Sequence, residues 1–249
     1  MKDTTSLKVM GEEAFKRSRE VGVKGPVYNI LRWCGIILAK ILLYTPITAN
    51  QVSVLSSLVI YVSALFFAVG KVGYSVIAIA LLYLGQVLDE ADGSVARARK
   101  EVTILQSTFV CKLYHAFSLP IVFIGIGFGV YQNTGNIIYL LLGFSASFFQ
   151  LNISGVEYLK ALIRQKYLAQ KKLNKGAEVK PKGLAALVGS LVHMPLEYLK
   201  EIIIVALLFN KFTWLLIFYG IFTPIKLLLY LFSTFMNLKK TETKLKIKF

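Results

Sequence analysis

Long apolar runs constrain this chain more than any other feature of it. Six segments, Val52–Gly70, Val72–Leu88, Thr108–Tyr131, Ile137–Ile153, Ala185–Leu208 and Phe212–Met236, are built mostly from Leu, Ile, Val, Phe, Ala and Tyr. About 20 apolar residues of helix span a bilayer core roughly 30 Å thick. A lipid-embedded backbone must also satisfy its own hydrogen bonds, which a helix does. The runs therefore predict an all-α integral membrane protein with six transmembrane helices. The second run is short unless it continues through the polar stretch Asp89–Arg97. Ahead of the six, Val27–Tyr44 mixes Arg32 and Lys40 with Leu31, Ile37, Ile41 and Leu42, and Pro46 closes it. That mixture predicts an amphipathic helix at the membrane interface, with Arg32 and Lys40 on lipid phosphates. A seventh span is the competing reading.

The chain is 56% hydrophobic yet carries a net charge of +16. A charge this basic raises either nucleic acid or an anionic membrane as partner, and its distribution decides between them. Lys and Arg concentrate in residues 1–50, at Arg97, Arg99 and Lys100, across Lys160–Lys182, and in the tail from Lys239. The alternate links hold only Lys71 and Lys211. By the positive-inside rule the basic islands face the cytoplasm. Both termini are then cytoplasmic in a multi-pass protein of the cytoplasmic (inner) membrane, and nucleic acid drops out. Disorder, a collagen-like fibre and a small disulfide-stapled domain are excluded by the same composition. The N-terminal charges are not followed by the short apolar core of a signal peptide. Cys34 and Cys111, far apart in a cytoplasm-facing plan, are not expected to pair. Lys166–Lys182 reads as a cytoplasmic loop. Without an internal repeat, the expectation is one domain over 1–249: an N-terminal segment 1–50, a six-helix bundle 51–236 and a basic tail 237–249.

The informative charges are the scarce negative ones. Apart from Asp3, the chain's aspartates are Asp89 and Asp92, both where the second span ends. Ionisable groups at membrane depth are costly and mark function by default. On a helix, Asp89, Asp92, Gly93, Ala96 and Arg97 share one face. Two carboxylates a turn apart can share a Mg²⁺ with phosphate oxygens. Gly93 and Ala96 leave room for a bulky ligand, and Arg97 can clamp a phosphate bidentately. Glu90 points about 100° away from Asp89 and adds nothing to the set.

This ordered set resembles the signature of the CDP-alcohol phosphotransferase (CDP-alcohol phosphatidyltransferase) family, Asp-x2-Asp-Gly-x2-Ala-Arg followed by x8-Gly-x3-Asp-x3-Asp. Its first half stands intact as Asp89-Glu90-Ala91-Asp92-Gly93-Ser94-Val95-Ala96-Arg97. The stretch from Thr45 to Ser53 is also similar to the family's entry to its first span. The second half departs. Literal counting reaches Gln106, Val110 and Tyr114, whereas one inserted residue gives Ser107, Cys111 and His115, again on one helical face. The shifted reading recovers chemistry at each position and is preferred.

The resemblance implies a six-span homodimer that moves a phospho-alcohol group, such as phosphatidyl, from a CDP-diacylglycerol-like donor to a hydroxyl acceptor. CMP is released, in phospholipid or membrane-glycan biosynthesis. It also implies metal ligands at Asp89, Asp92 and Cys111, donor contacts at Gly93, Ala96, Arg97 and Ser107, and His115 as the base. Mg²⁺ is the expected metal. Mn²⁺ or Zn²⁺ stays open, because a soft Cys111 suits Mg²⁺ poorly. An unperturbed imidazole, with a pKa of about 6.5, is a reasonable base near neutral pH. Lys112 either snorkels or meets phosphate, and His193, Glu197, Lys200 and Glu201 form a polar stripe in the fifth span. Two rivals stand beside the transferase: a catalytically inactive relative that binds a CDP-lipid or a partner, and a small transporter.

Overall fold

The computed structural model describes residues 6–21, 26–99, 111–170 and 199–245, and all regular structure among them is helical. Eight helices follow in order: α1 (Leu7–Val21), α2 (Pro26–Leu42), α3 (Ala49–Ala68), α4 (Val72–Arg99), α5 (Cys111–Thr134), α6 (Ile137–Gln170), α7 (Leu199–Leu208) and α8 (Phe212–Leu245). Five stretches among the described residues are long and apolar enough to cross a membrane: Ala49–Ala68, Val72–Arg99, Ala116–Thr134, Ile137–Leu159 and Phe212–Phe235. These are the helices of a multi-pass membrane protein. Most of the remaining expected span, Ala185–Leu208, lies outside the described residues, and its last part is α7.

The burial pattern supports a lipid surround. Along α3, Leu55, Leu58, Val62 and Leu65 are exposed while Ser53, Ser56, Ser57 and Ser63 are buried. In water such an inversion would expose a large apolar patch. In lipid it is expected, because small polar residues let helices approach and bond to one another. On α8 the exposed stripe is Trp214, Phe218, Ile221, Ile225, Leu228, Phe232 and Phe235, opposite buried Thr223 and Lys226.

The contacts divide the chain into two compact units, Met1–Val122 and Phe123–Phe249, with the boundary inside α5. In the first unit, Thr48 starts α3 through a capping box: its hydroxyl accepts from the Gln51 N–H, and Gln51 Oε1 accepts from the Thr48 N–H at 2.9 Å. The turn into α4 passes through Gly70 at φ 76°, a left-handed conformation that glycine adopts without steric cost. So short a link makes α3 and α4 antiparallel neighbours. They meet closely at Gly85, where an added Cβ would come within 2.5 Å of Ile60 Cγ1, and Ser56 Oγ donates to the Gly85 carbonyl at 2.8 Å. Pro26 occupies the first position of α2, where its missing N–H costs nothing. That helix runs close to its expected bounds and lies against α4 through Gly35, whose Cβ would stand 2.6 Å from Glu90 Cβ.

α2 is preceded by a helix that the sequence pattern does not announce. α1 places Met10 and Ala14 in an apolar cluster with Ile36, Ala39, Val52, Leu88, Ala91 and Val95. Phe15 packs on Trp33 with ring centroids 5.3 Å apart.

In the second unit, α5 and α6 approach through Gly127 and Gly143. A Cβ on Gly143 would lie 2.8 Å from the Phe123 carbonyl and 3.0 Å from Gly127 Cα. α6 and α8 meet where Ser145 Oγ donates to the Gly220 carbonyl at 3.0 Å. Two boundaries move from expectation. α6 continues to Gln170, so the stretch Lys166–Gln170 is helix rather than loop, and α8 continues through the tail to Leu245. Helical propensity explains both extensions: Lys, Arg, Gln, Ala and Leu are good helix formers outside the membrane as well as in it.

Candidate active site

The polar stretch Asp89–Arg97 does not end the second span; it continues it as one helix, α4, to Arg99. The five residues expected on one face are therefore helical, as the spacing required. Asp92 is 7% exposed, although a carboxylate is rarely so buried without partners. Its Oδ2 accepts a short hydrogen bond from Ser53 Oγ on α3. That bond fixes the carboxylate's orientation. Asp89 is half-buried beside it on the sequence.

Gly93 leaves space that Arg97 occupies. The three atoms nearest to a Cβ built on Gly93 all belong to the Arg97 guanidinium, with Nη1 at 3.3 Å. Arg97 Nη2 also donates to Ser94 Oγ at 3.1 Å. The guanidinium thus folds back one turn over the glycine, toward the Asp92 end of the helix, where a phosphate could take its N–H groups. Ala96 is half-buried and packs against the apolar cluster, so part of its surface serves packing rather than the ligand space expected of it.

Two arginines act differently from expectation. Arg32 is 8% exposed and does not reach toward lipid phosphates. Its Nη1 donates to Glu90 Oε2 at 2.8 Å and also bonds the Tyr28 hydroxyl. The expectation failed because α2 packs against α4 at Gly35, which turns Arg32 toward that helix. Lys40 stays nearer the surface, its ammonium 5.8 Å from the Tyr44 ring centroid. Arg99 was read only as part of the basic island, yet it grips three carbonyls, those of Leu42 (2.9 Å), Thr45 and Ile47. It ties the end of α2 and the loop into α3 to the end of α4. A helix C-terminus leaves carbonyls without partners, and a cation there is favoured.

The second half of the expected set is only partly described. Cys111 and His115 lie in the first turns of α5, one turn apart, but their side chains and that of Tyr114 fall outside the described residues, as do Gln106, Ser107 and Val110. Of the fifth-span stripe, His193 and Glu197 also fall outside, and so does the Lys200 side chain. Glu201 is half-buried at the start of α7, with Oε2 lacking a hydrogen-bond partner.

Among the described residues no three His, Cys, Asp or Glu side chains gather as a metal site. The pair Asp89 and Asp92 nevertheless fits a share of one. Carboxylate oxygens are the hard donors Mg²⁺ takes, usually one or two per ion with water and phosphate completing the shell. Ser53 is the site residue that sequence reasoning missed. The signal available for it was its place at the end of the Thr45–Ser53 stretch.

No curated protein matches the chain. A family model does: over residues 46–107, from the loop before α3 through all of α4, the chain matches the CDP-alcohol phosphatidyltransferase family, a family of transferases, which bears out the resemblance carried by the motif.

Proposed function

We propose that this protein transfers a phospho-alcohol group from a CDP-alcohol to a hydroxyl acceptor. The acceptor oxygen forms a bond to the donor's alcohol-bearing phosphorus, the bond from that phosphorus to CMP breaks, and CMP leaves. The observation that carries this reading is the intact run Asp89, Asp92, Gly93, Arg97 on one face of α4, with Asp92 buried and held by Ser53, inside the matched segment. Asp89 and Asp92 would hold the metal, Mg²⁺ by its preference for hard oxygens, and the bound metal supplies charge neutralisation at the diphosphate. Gly93 gives the Arg97 guanidinium room to lie against the helix, from where it donates to a phosphate oxygen, and Gly93, Ala96 and Ser107 border the diphosphate. His115 takes the acceptor hydroxyl's proton, and Cys111 completes the metal set if a softer ion such as Zn²⁺ serves. The donor is a CDP-diacylglycerol-like lipid, and the product enters phospholipid or membrane-glycan synthesis. The protein works as a homodimer in the cytoplasmic membrane with six spans and both termini inside, one domain over 1–249.

The test is CMP release from CDP-diacylglycerol and other CDP-alcohols in liposomes supplied with Mg²⁺, Mn²⁺ or Zn²⁺. Turnover that depends on the metal supports the transferase. One observation favours a second reading: no aspartate follows Asp92 anywhere in the chain, so the family's later carboxylates are replaced. Nucleotide binding without turnover in any metal would select the inactive, CDP-lipid-binding relative.

A further inference from the structure

Glu90 is an odd residue to find between Asp89 and Asp92. It adds a third carboxylate within four positions, faces away from the other two, and is answered across the helix interface by Arg32. The Arg32 and Glu90 side chains are 10% and 14% exposed, with 2.8 Å between their charged atoms. A buried ion pair is seldom the cheapest way to join two helices. Apolar residues of the same volume often do as well or better, because burying two charges costs much of what their attraction returns. This pair is also imperfect, since Arg32 Nε is buried with no hydrogen-bond partner.

We propose that Arg32 and Glu90 are positioning residues for the Asp89–Asp92 pair, an inference that rests on the functional reading above. The bond lies on one side of α4 and the Ser53–Asp92 bond on another, so together they set the helix's rotation and its position along its axis. Gly35 makes the first possible by letting α2 come within contact of Glu90 Cβ. A helix turn is rigid, so Asp89, Glu90 and Asp92 move together. If either partner of the ion pair is lost, the remaining buried charge drives α4 to turn or slide until that charge reaches water. Asp92 is then carried away from Ser53 on α3, which orients its carboxylate, and the pair loses its set geometry for a metal. Arg32 also neutralises Glu90, which prevents it from drawing the metal away from the pair.

The test is Mn²⁺ binding, with the metal alone as probe, followed by electron paramagnetic resonance on the full chain in nanodiscs. Folded protein is selected beforehand by size-exclusion chromatography. Arg32→Met and Glu90→Leu each weaken Mn²⁺ binding by about tenfold or more, the loss typical of residues that orient metal ligands. The double variant Arg32→Met/Glu90→Leu, which removes both charges and keeps the volume, returns binding to within about threefold of wild type. Folded single variants that bind Mn²⁺ as wild type does would overturn the proposal and leave the pair a packing device. So would a double variant as weak as the singles. If the singles do not fold, Arg32→Lys decides. It keeps the charge but replaces the planar guanidinium, whose Nη1 bonds both Tyr28 and Glu90, with an ammonium on a flexible stem, so binding weakens about threefold, and unchanged binding overturns the proposal. A wild-type protein that does not bind Mn²⁺ refutes the functional reading itself, a result distinct from wild-type binding that the variants leave unaltered.

Discussion

The two units join their helices by different means. In the first, an apolar cluster and close approaches at Gly35 and Gly85 are joined by side-chain bonds that concentrate on α4 between Gly85 and Arg99: Ser56 on the Gly85 carbonyl, Arg32 on Glu90, Ser53 on Asp92, and Arg99 on the carbonyls around Leu42. In the second, backbone approaches at Gly127 and Gly143 and aromatic packing such as Phe123 on Tyr219, with ring centroids 5.2 Å apart, stand beside the bond from Ser145 to the Gly220 carbonyl. Both solutions suit lipid, where helices gain little from apolar contact alone. Glycine contacts bring helices together without fixing any side chain's direction. Directional bonds do fix it, and they are concentrated where the candidate metal ligands stand.

This difference can be broken from either side. The largest effect on stability is expected from Gly143→Leu, because the added side chain would collide with backbone rather than with a movable side chain. A loss of about 3 kcal/mol or more follows from overpacking of that kind, read as a fall in thermal unfolding temperature in detergent. Arg99→Ala should cost about 2 kcal/mol by the same measurement, through lost charged hydrogen bonds. It frees the α2–α3 loop without touching the acidic pair, so turnover should fall less than stability does. Ser53→Ala sharpens the contrast. It should lower CMP release about tenfold, as outer-shell partners of metal ligands do, with a smaller change in unfolding temperature than Arg99→Ala. Thr48→Ala, which removes the α3 cap, should cost about 1 kcal/mol and leave turnover nearly unchanged.

Much of this organisation was legible in the sequence because it depends on one helix at a time. Apolar length marked the spans, and helical spacing put Asp89, Asp92, Gly93 and Arg97 on one face before any coordinates did. Contacts between helices were not legible. The local mixture of charged and apolar residues around Arg32 points it to lipid, and nothing local shows that Gly35 brings it to Glu90. Ser53 looked like one small residue among many in α3, since its value depends on which turn of α4 it meets. The helix α1 was not legible for a related reason: among its described side chains the buried face is Met10, Gly11 and Ala14, too narrow a stripe to declare itself in so polar a segment. Helical spacing points Glu90 away from Asp89, and that direction is what lets it reach Arg32.

If Asp92, buried near the end of α4 and bonded by Ser53, holds the metal of the proposed transferase, its charge is indispensable to turnover. The most direct test is CMP release from CDP-diacylglycerol in liposomes, comparing wild type with Asp92→Asn at matched amounts of folded protein. Asparagine keeps the shape and the hydrogen bond to Ser53 while removing the negative charge. Metal-dependent release by wild type and a loss of about a hundredfold or more in Asp92→Asn, the scale of an electrostatic group at a reacting centre, is the predicted result. Equal release by the two proteins would contradict it.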